Sequence, residues 1–187
     1  PIYIRLEYDN TTYDSNLYYL SQIENAIKQS ATGVTITTNS EHKCITTLSD
    51  ILDKYNYTTT RGINLTPVFV FDQFEELFSL NEPKYHHRIT RVFQDLSSIL
   101  NGNSIPNYRI VICLREDYLY CIEKYSDSIP ALKRNRYCLQ DLSKDEAYEV
   151  ITKPEKDLLG SDVANKILLK LSSNGKNEIN ATMLSLY

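Results

Sequence analysis

The fold of this chain is decided by the stretch Val68-Phe69-Val70-Phe71-Asp72-Gln73-Phe74-Glu75-Glu76-Leu77-Phe78. Four consecutive apolar residues, two of them β-branched and two aromatic, follow Pro67 and end at an acidic residue. An uninterrupted apolar run of this length is typical of a strand buried on both faces, in a parallel sheet with helices on each side. Parallel strands present their carboxyl ends at one edge of the sheet, where ligands bind.

Acidic residues stand at the carboxyl end of this predicted strand. Asp72 ends the apolar run, and Glu75 and Glu76 follow within about one helical turn. A carboxylate at a strand tip is a suitable ligand for hydrated Mg²⁺, which prefers few protein oxygens and keeps several waters. In the alternative interpretation, Asp72 caps the next helix and the glutamates stabilise the positive end of that helix.

Composition restricts the classes of protein to consider. The chain has 187 residues, 42% of them hydrophobic and 24% charged, which predicts one globular domain or one domain with the beginning of another. Its net charge of -4 gives no electrostatic reason to expect nucleic acid or an anionic membrane as partner. No apolar run approaches the roughly 20 residues of a membrane helix. The four cysteines lack paired spacing, which favours a reducing, cytoplasmic location.

A second apolar run repeats the pattern of the first. Residues 110–114 form another predicted strand, which ends at Arg115, and residues 85–100 between the two strands have the apolar spacing of an amphipathic helix. A strand, a helix and a strand in this order predict a right-handed βαβ unit. If the two strands are neighbours, Asp72 and Arg115 emerge side by side at one edge, about one strand spacing apart.

The remaining elements are predicted from periodicity and capping signals. Ser143 and Glu146 form a capping box that opens a helix. Pro130 is expected to break the helical stretch that contains it. The other predicted strands are 2–6 and 136–139, the predicted helices are 17–28, 45–55, 118–133 and 163–171, residues 31–39 are a loop with a short extended piece, and 58–65 form a polar connection.

These pieces resemble a P-loop NTPase of the STAND class, which is related to the AAA+ ATPases. The stretch 68–76 resembles an extended Walker B motif, and Asp-Gln-Phe-Glu-Glu-Leu-Phe is especially similar to the bacterial novel STAND subgroup. Residues 109–115 resemble the strand that ends in the sensor-1 arginine. The resemblance implies an α/β fold with a three-layer P-loop NTPase-like parallel sheet flanked by helices. Residues 1–140 would be a partial NTPase core, and 141–187 the beginning of a helical subdomain.

The phosphate-binding motif of this family is absent from the 187 residues. Its pattern is Gly-x-x-x-x-Gly-Lys-Ser/Thr, whereas the five glycines of this chain are isolated and none precedes Lys-Ser or Lys-Thr. The chain also begins at Pro1 without methionine. We therefore expect a piece of a longer protein whose P-loop precedes Pro1, with a gap beside the sensor-1 strand where the P-loop strand normally lies.

On this resemblance, the acidic residues and the arginine have distinct roles. Asp72 orients Mg²⁺ through water, either Glu75 or Glu76 polarises the attacking water, and Arg115 donates to the γ-phosphate of ATP. Phosphoryl transfer depends mostly on positioning and charge stabilisation, so opposite charges must converge on one edge. The alternative for Arg115 is an ion pair with Glu116 or Asp117 in a solvated loop.

The implied function is a nucleotide-controlled signalling ATPase that uses ATP and Mg²⁺. Such a switch would form homo-oligomers on activation, respond to a protein partner or sensor domain, and in some relatives act in antiviral defence. The fragment alone is expected to be inactive. The alternative is a catalytically inactive scaffold for oligomerisation or partner binding. The adjacent histidines at 86 and 87 and the arginines at 134 and 136 are expected to be surface residues.

Overall fold

The computed structural model describes residues 1–6, 18–30, 33–38, 45–79, 86–102, 107–153, 161–172 and 178–179. The chain divides into two compact units, residues 1–136 and 137–187. The elements of the first unit are β1 (Ile2–Arg5), α1 (Tyr18–Gln29), β2 (Val34–Thr38), α2 (Leu48–Lys54), β3 (Tyr55–Thr59), β4 (Val68–Asp72), α3 (Glu76–Ser79), α4 (His86–Leu100), β5 (Arg109–Ile112), a 3-10 turn (Glu116–Tyr118), α5 (Leu119–Glu123) and α6 (Ala131–Arg134). Residues 31–32 and 39 of the predicted loop lie outside the described residues.

A parallel sheet of three strands forms the centre of the first unit. Its order is β1-β4-β5, so β4, which comes from the apolar run at the start of the stretch 68–78, is central. Phe71 pairs with Ile4 on one side and with Ile112 on the other. The connection from β4 to β5 contains α4, which confirms the predicted strand–helix–strand unit. The mixed α/β class is therefore confirmed.

Helices cover one face of this sheet. Ile4, Phe69 and Phe71 are buried there, in one apolar cluster with residues of α1, α2 and α4. On the opposite face, Tyr3 and Val111 flank Val70 in register and are 67% and 43% exposed. The apolar run predicted strands that are buried on both faces. The described residues do not show this, because no helix among them covers the second face.

Aromatic packing fixes the turn that follows β4. The Phe74 ring makes edge-to-face contacts with Phe71, Phe78 and Phe93, each with centroids 6.0 Å apart. Tyr125 stacks on Phe93 at 3.8 Å. Aromatic pairs of this kind contribute about 0.5–1.5 kcal/mol each beyond the burial of their area. Phe74 therefore anchors the segment that carries the two glutamates.

A buried carboxylate joins three helices of the first unit. Asp95 on α4 accepts hydrogen bonds from the Tyr19 hydroxyl of α1 and, at 2.9 Å, from the Leu48 N–H at the start of α2. Arg91 Nε lies 3.4 Å from the same carboxylate. Burial, and then the adjacent Asp95, raise the pKa of Tyr19 well above its ordinary value. The tyrosine therefore remains a hydrogen-bond donor at neutral pH.

A two-stranded antiparallel sheet replaces most of the polar connections predicted between the helices and β4. Strands β2 and β3 pair from Val34 opposite Thr59 to Thr38 opposite Tyr55. Tyr55 and Tyr57 alternate inward and are buried, and the Leu65 N–H donates to the Tyr57 carbonyl at 2.8 Å. The connection predicted for residues 58–65 is therefore partly wrong, because side-chain burial of tyrosines stabilises a strand among polar residues.

The second unit contains β6 (Leu142–Ser143), α7 (Lys144–Thr152), α8 (Ser161–Leu171) and β7 (Glu178–Ile179). The predicted capping box is confirmed: Ser143 Oγ accepts from the Glu146 N–H at 3.3 Å, and Glu146 Oε2 accepts from the Ser143 N–H at 2.9 Å. Ala147, Leu168 and Ile179 form its small core.

The strand predicted at residues 136–139 is wrong. These residues have no strand partner in the part of the chain that the structure describes, and Tyr137 and Leu139 are 88% and 86% exposed. Cys138 is exposed rather than packed as a small hydrophobic residue.

The helix predicted over 118–133 is divided into α5 and α6, and Pro130 stands at the start of α6, where its fixed φ suits a helix.

Candidate functional site

The carboxyl ends of the three parallel strands bring the charged residues of the site together. Arg5 at the tip of β1 lies opposite Asp72 at the tip of β4. On the other side, the Cys113 N–H donates to the Phe71 carbonyl at 2.8 Å and the Phe74 N–H donates to the Cys113 carbonyl at 2.9 Å. Asp72 therefore stands between the tips of β1 and β5, and Arg115 follows β5 at the same edge.

Asp72 is exposed and does not cap the following helix. Its Oδ1 accepts a hydrogen bond from the Gln73 N–H at 3.0 Å, while α3 begins only at Glu76. Gln73 has φ of 50°, in the left-handed region that non-glycine residues rarely adopt. This turn directs the chain sharply away from the strand. The alternative interpretation of Asp72 as a helix cap is therefore wrong.

Glu76 is bound to the tip of β1. Arg5 Nη2 donates to Glu76 Oε1 at 2.6 Å, and Arg5 Nε donates to Oε2 at 3.5 Å, which makes the pair bidentate. The sequence analysis did not identify Arg5 as a site residue. The available signal was a cation at the end of a predicted strand, next to the strand that ends in Asp72.

Glu75 lies toward the opposite side, at the tip of β5. Its Oε2 accepts a long hydrogen bond of 3.4 Å from the Arg115 N–H. The Arg115 guanidinium contacts Asp117 at 2.8 and 3.1 Å, and both side chains are more than half exposed. The structure thus shows the ion pair of the alternative interpretation. Exposed pairs contribute only about 0–1 kcal/mol, so an anionic ligand can compete for this arginine.

Formal negative charges outnumber positive ones at this edge. Burial, followed by the charge of Asp72, raises the pKa of the Cys113 thiol. Three carboxylates, those of Asp72, Glu75 and Glu76, outnumber the guanidinium groups of Arg5 and Arg115. A negative potential at a strand tip favours a cation bound together with an anionic ligand.

The donor set fits a hydrated Mg²⁺ better than a metal held by protein alone. Within the described ranges, no group of three or more His, Cys, Asp or Glu side chains is placed to hold a metal ion. Mg²⁺ is commonly bound by one or two carboxylates together with waters and substrate phosphates. Asp72 can supply one hard oxygen ligand of this kind, and the other ligands would come from water and phosphate.

The other candidate residues lie elsewhere. His86 and His87 are exposed in the first turn of α4. Arg136 pairs with Glu123 at 3.0 Å, and Arg134 is exposed at the end of α6. The surface roles predicted for these four residues agree with these positions.

None of the helices described here is both long and apolar enough to span a bilayer.

Comparison with known families gives a match over most of the chain. The model of the family described as Novel STAND NTPase 1 matches residues 10–181, which include β4, β5 and all of the acidic residues of the edge. No curated protein and no solved structure matches the chain.

Proposed function

Since this chain belongs to the novel STAND NTPase 1 family, we propose that its sheet edge is the Mg²⁺ and sensor half of an ATP site. Membership makes the chain part of a nucleotide-dependent signalling NTPase. The proposal assigns the stretch 68–76 as a Walker B motif and Arg115 as the sensor-1 residue. The observation that carries it is the pairing of β4 with β5, because the exposed Asp72 ends β4 and the exposed Arg115 follows three residues after the end of β5.

Each residue of the edge has a role that its contacts permit. Asp72 is exposed, its carboxylate accepts a hydrogen bond from the Gln73 N–H, and it would hold a water ligand of Mg²⁺. Arg115 leaves its weak pair with Asp117 and donates to the γ-phosphate, whose charge exceeds that of one carboxylate. Bound Mg²⁺ would neutralise charge that develops on the phosphate oxygens. Glu75 or Glu76 polarises the attacking water.

The phosphate-binding loop is supplied by residues outside the 187. Support comes from the absence of Gly-x-x-x-x-Gly-Lys-Ser/Thr in the sequence. In the described part of the chain, β5 pairs on one side only, with β4. A further parallel strand can therefore add to β5 and bring backbone N–H groups and a lysine to the same edge. The result is a P-loop NTPase sheet of the AAA+-related kind.

Calorimetry with Mg²⁺–ATP tests this proposal. The chain of 187 residues is compared with a chain extended upstream through the next strand and loop of its gene. We expect binding by the extended chain alone, and loss of that binding in Asp72→Ala. Asp127→Ala is the control, because Asp127 is exposed and its contact is with Lys133 at 3.6 Å, away from the edge.

The outcome also separates the two candidate functions. Absence of binding by either chain would refute the ATP site and leave a scaffold for oligomerisation or partner binding. Binding without oligomerisation would refute the further proposal that ATP drives assembly of identical subunits. The proposed switch includes this assembly, the engagement of a sensor partner and an output in antiviral defence. Light scattering with and without Mg²⁺–ATP tests the assembly.

A further inference from the structure

The two adjacent glutamates at the sheet edge are held on opposite sides of Asp72. Glu76 lies toward β1, where Arg5 binds both of its carboxylate oxygens. Glu75 lies toward β5, where its partner among the described residues is the Arg115 N–H. The two side chains therefore occupy different environments, although they are neighbours in sequence.

These environments differ in how readily each carboxylate can act as a base. A short, charge-assisted contact from arginine occupies lone pairs of a carboxylate that would otherwise be open to a water. Glu76 has one short contact of this kind, at 2.6 Å, and a second contact of 3.5 Å that is as weak as the one to Glu75. The long bond of 3.4 Å to Glu75 leaves most of the accepting capacity of that carboxylate available.

Position favours the same residue. Glu75 contacts the backbone of Arg115, the residue whose guanidinium is proposed to bind the γ-phosphate. Glu76 is directed to the other side of β4, away from the edge of β5 at which a further strand can add. A water that attacks the γ-phosphate needs a base within hydrogen-bonding reach, which Glu75 can provide without breaking an ion pair.

We infer that Arg5 is a positioning residue that holds Glu76 against β1, and that Glu75 is the carboxylate that activates the attacking water. This inference rests on the proposed ATP site. In the reaction, the water oxygen forms a bond to the γ-phosphorus as the bond to the β–γ bridging oxygen breaks. Glu75 accepts the proton that the water loses and then releases it to phosphate or solvent, so the products are ADP and inorganic phosphate.

The test measures the rate of steady-state ATP hydrolysis and the affinity for Mg²⁺–ATP. It uses the protein that includes any residues encoded by its gene before Pro1. We expect Glu75→Gln to lower kcat about 10²- to 10⁴-fold with little change in affinity, as for loss of a general base. Glu76→Gln and Arg5→Met should each lower kcat about ten-fold, and the double variant no further, since the two residues act as one unit. Arg5→Lys should recover part of the loss.

A double-mutant cycle on unfolding tests the contact without nucleotide. In the chain of 187 residues, Arg5→Met and Glu76→Gln should couple by about two- to five-fold in the unfolding constant, whereas Arg5→Met and Glu75→Gln should be additive. Glu149→Gln is the control for loss of an exposed carboxylate, since Glu149 pairs with Lys153 in the other unit.

The outcomes distinguish this inference from the proposed ATP site. Binding of Mg²⁺–ATP with equal losses of kcat in Glu75→Gln and Glu76→Gln would overturn the inference and leave the ATP site intact. Additivity of Arg5→Met with Glu76→Gln would overturn the positioning role of Arg5. Absence of nucleotide binding in every form would overturn the ATP site and, with it, the role of Glu75.

Discussion

Removal of the buried carboxylate of Asp95 should strongly destabilise the first unit. Asp95→Ala leaves the Tyr19 hydroxyl and the Leu48 N–H without their acceptor in a buried region. Each unsatisfied buried donor costs about 1–3 kcal/mol, and the partly exposed Arg91 recovers contact with water. We therefore expect the free energy of unfolding to fall by about 3 kcal/mol, a large part of the roughly 5–15 kcal/mol of a typical domain.

Equilibrium unfolding in urea, followed by far-UV circular dichroism, measures this loss. With a slope near 2 kcal/mol/M, the midpoint should fall by roughly 1–2 M while the slope itself stays unchanged. Gln94→Ala on the exposed side of the same helix is the control and should change stability by no more than about 0.5 kcal/mol. A loss below about 1 kcal/mol in Asp95→Ala would refute the structural importance of this network.

Two further predictions concern charge and capping. Hydrogen bonds from Lys54 and then from Tyr55 lower the pKa of Glu24 from 4.5 to about 2. Because the pKa of Glu24 is depressed in the folded state, its stabilising effect is present above about pH 4.5 and is lost as the pH falls toward 2. The difference in unfolding free energy between wild type and Glu24→Gln, measured by urea titrations at several pH values, should therefore shrink over that range. A difference that is independent of pH would contradict this prediction. Ser143→Ala should destabilise α7 by about 1 kcal/mol, visible as faster hydrogen exchange of its first-turn amides, and unchanged exchange would argue against the cap.

The elements that sequence analysis identified correctly have strong local periodicity. Leu20, Ile23 and Ile27 recur at helical spacing and are all buried on α1. The apolar run of β4 forms a strand, as its β-branched and aromatic residues indicated. Such patterns are reliable because the pitch of a helix and the alternation of a strand fix which side chains share a face.

The incorrect predictions concern segments whose structure depends on a distant partner. Strand β3 is rich in polar residues, and its pairing with β2 is what makes it a strand. Tyr137 and Leu139 alternate like residues of a strand, yet no strand lies beside them among the described residues. A local pattern states what a segment can form, whereas pairing requires a second segment with unsatisfied backbone groups in the right register.

The candidate site also combines features that follow from local sequence with features that depend on the tertiary structure. Local spacing is enough to predict that an aspartate and an arginine follow two consecutive apolar runs with a helix between them. The contact of Arg5 with Glu76, 71 residues away in the chain, depends on the tertiary structure. It forms because β1 pairs with β4, and pairing between segments so far apart is not encoded within the acidic motif.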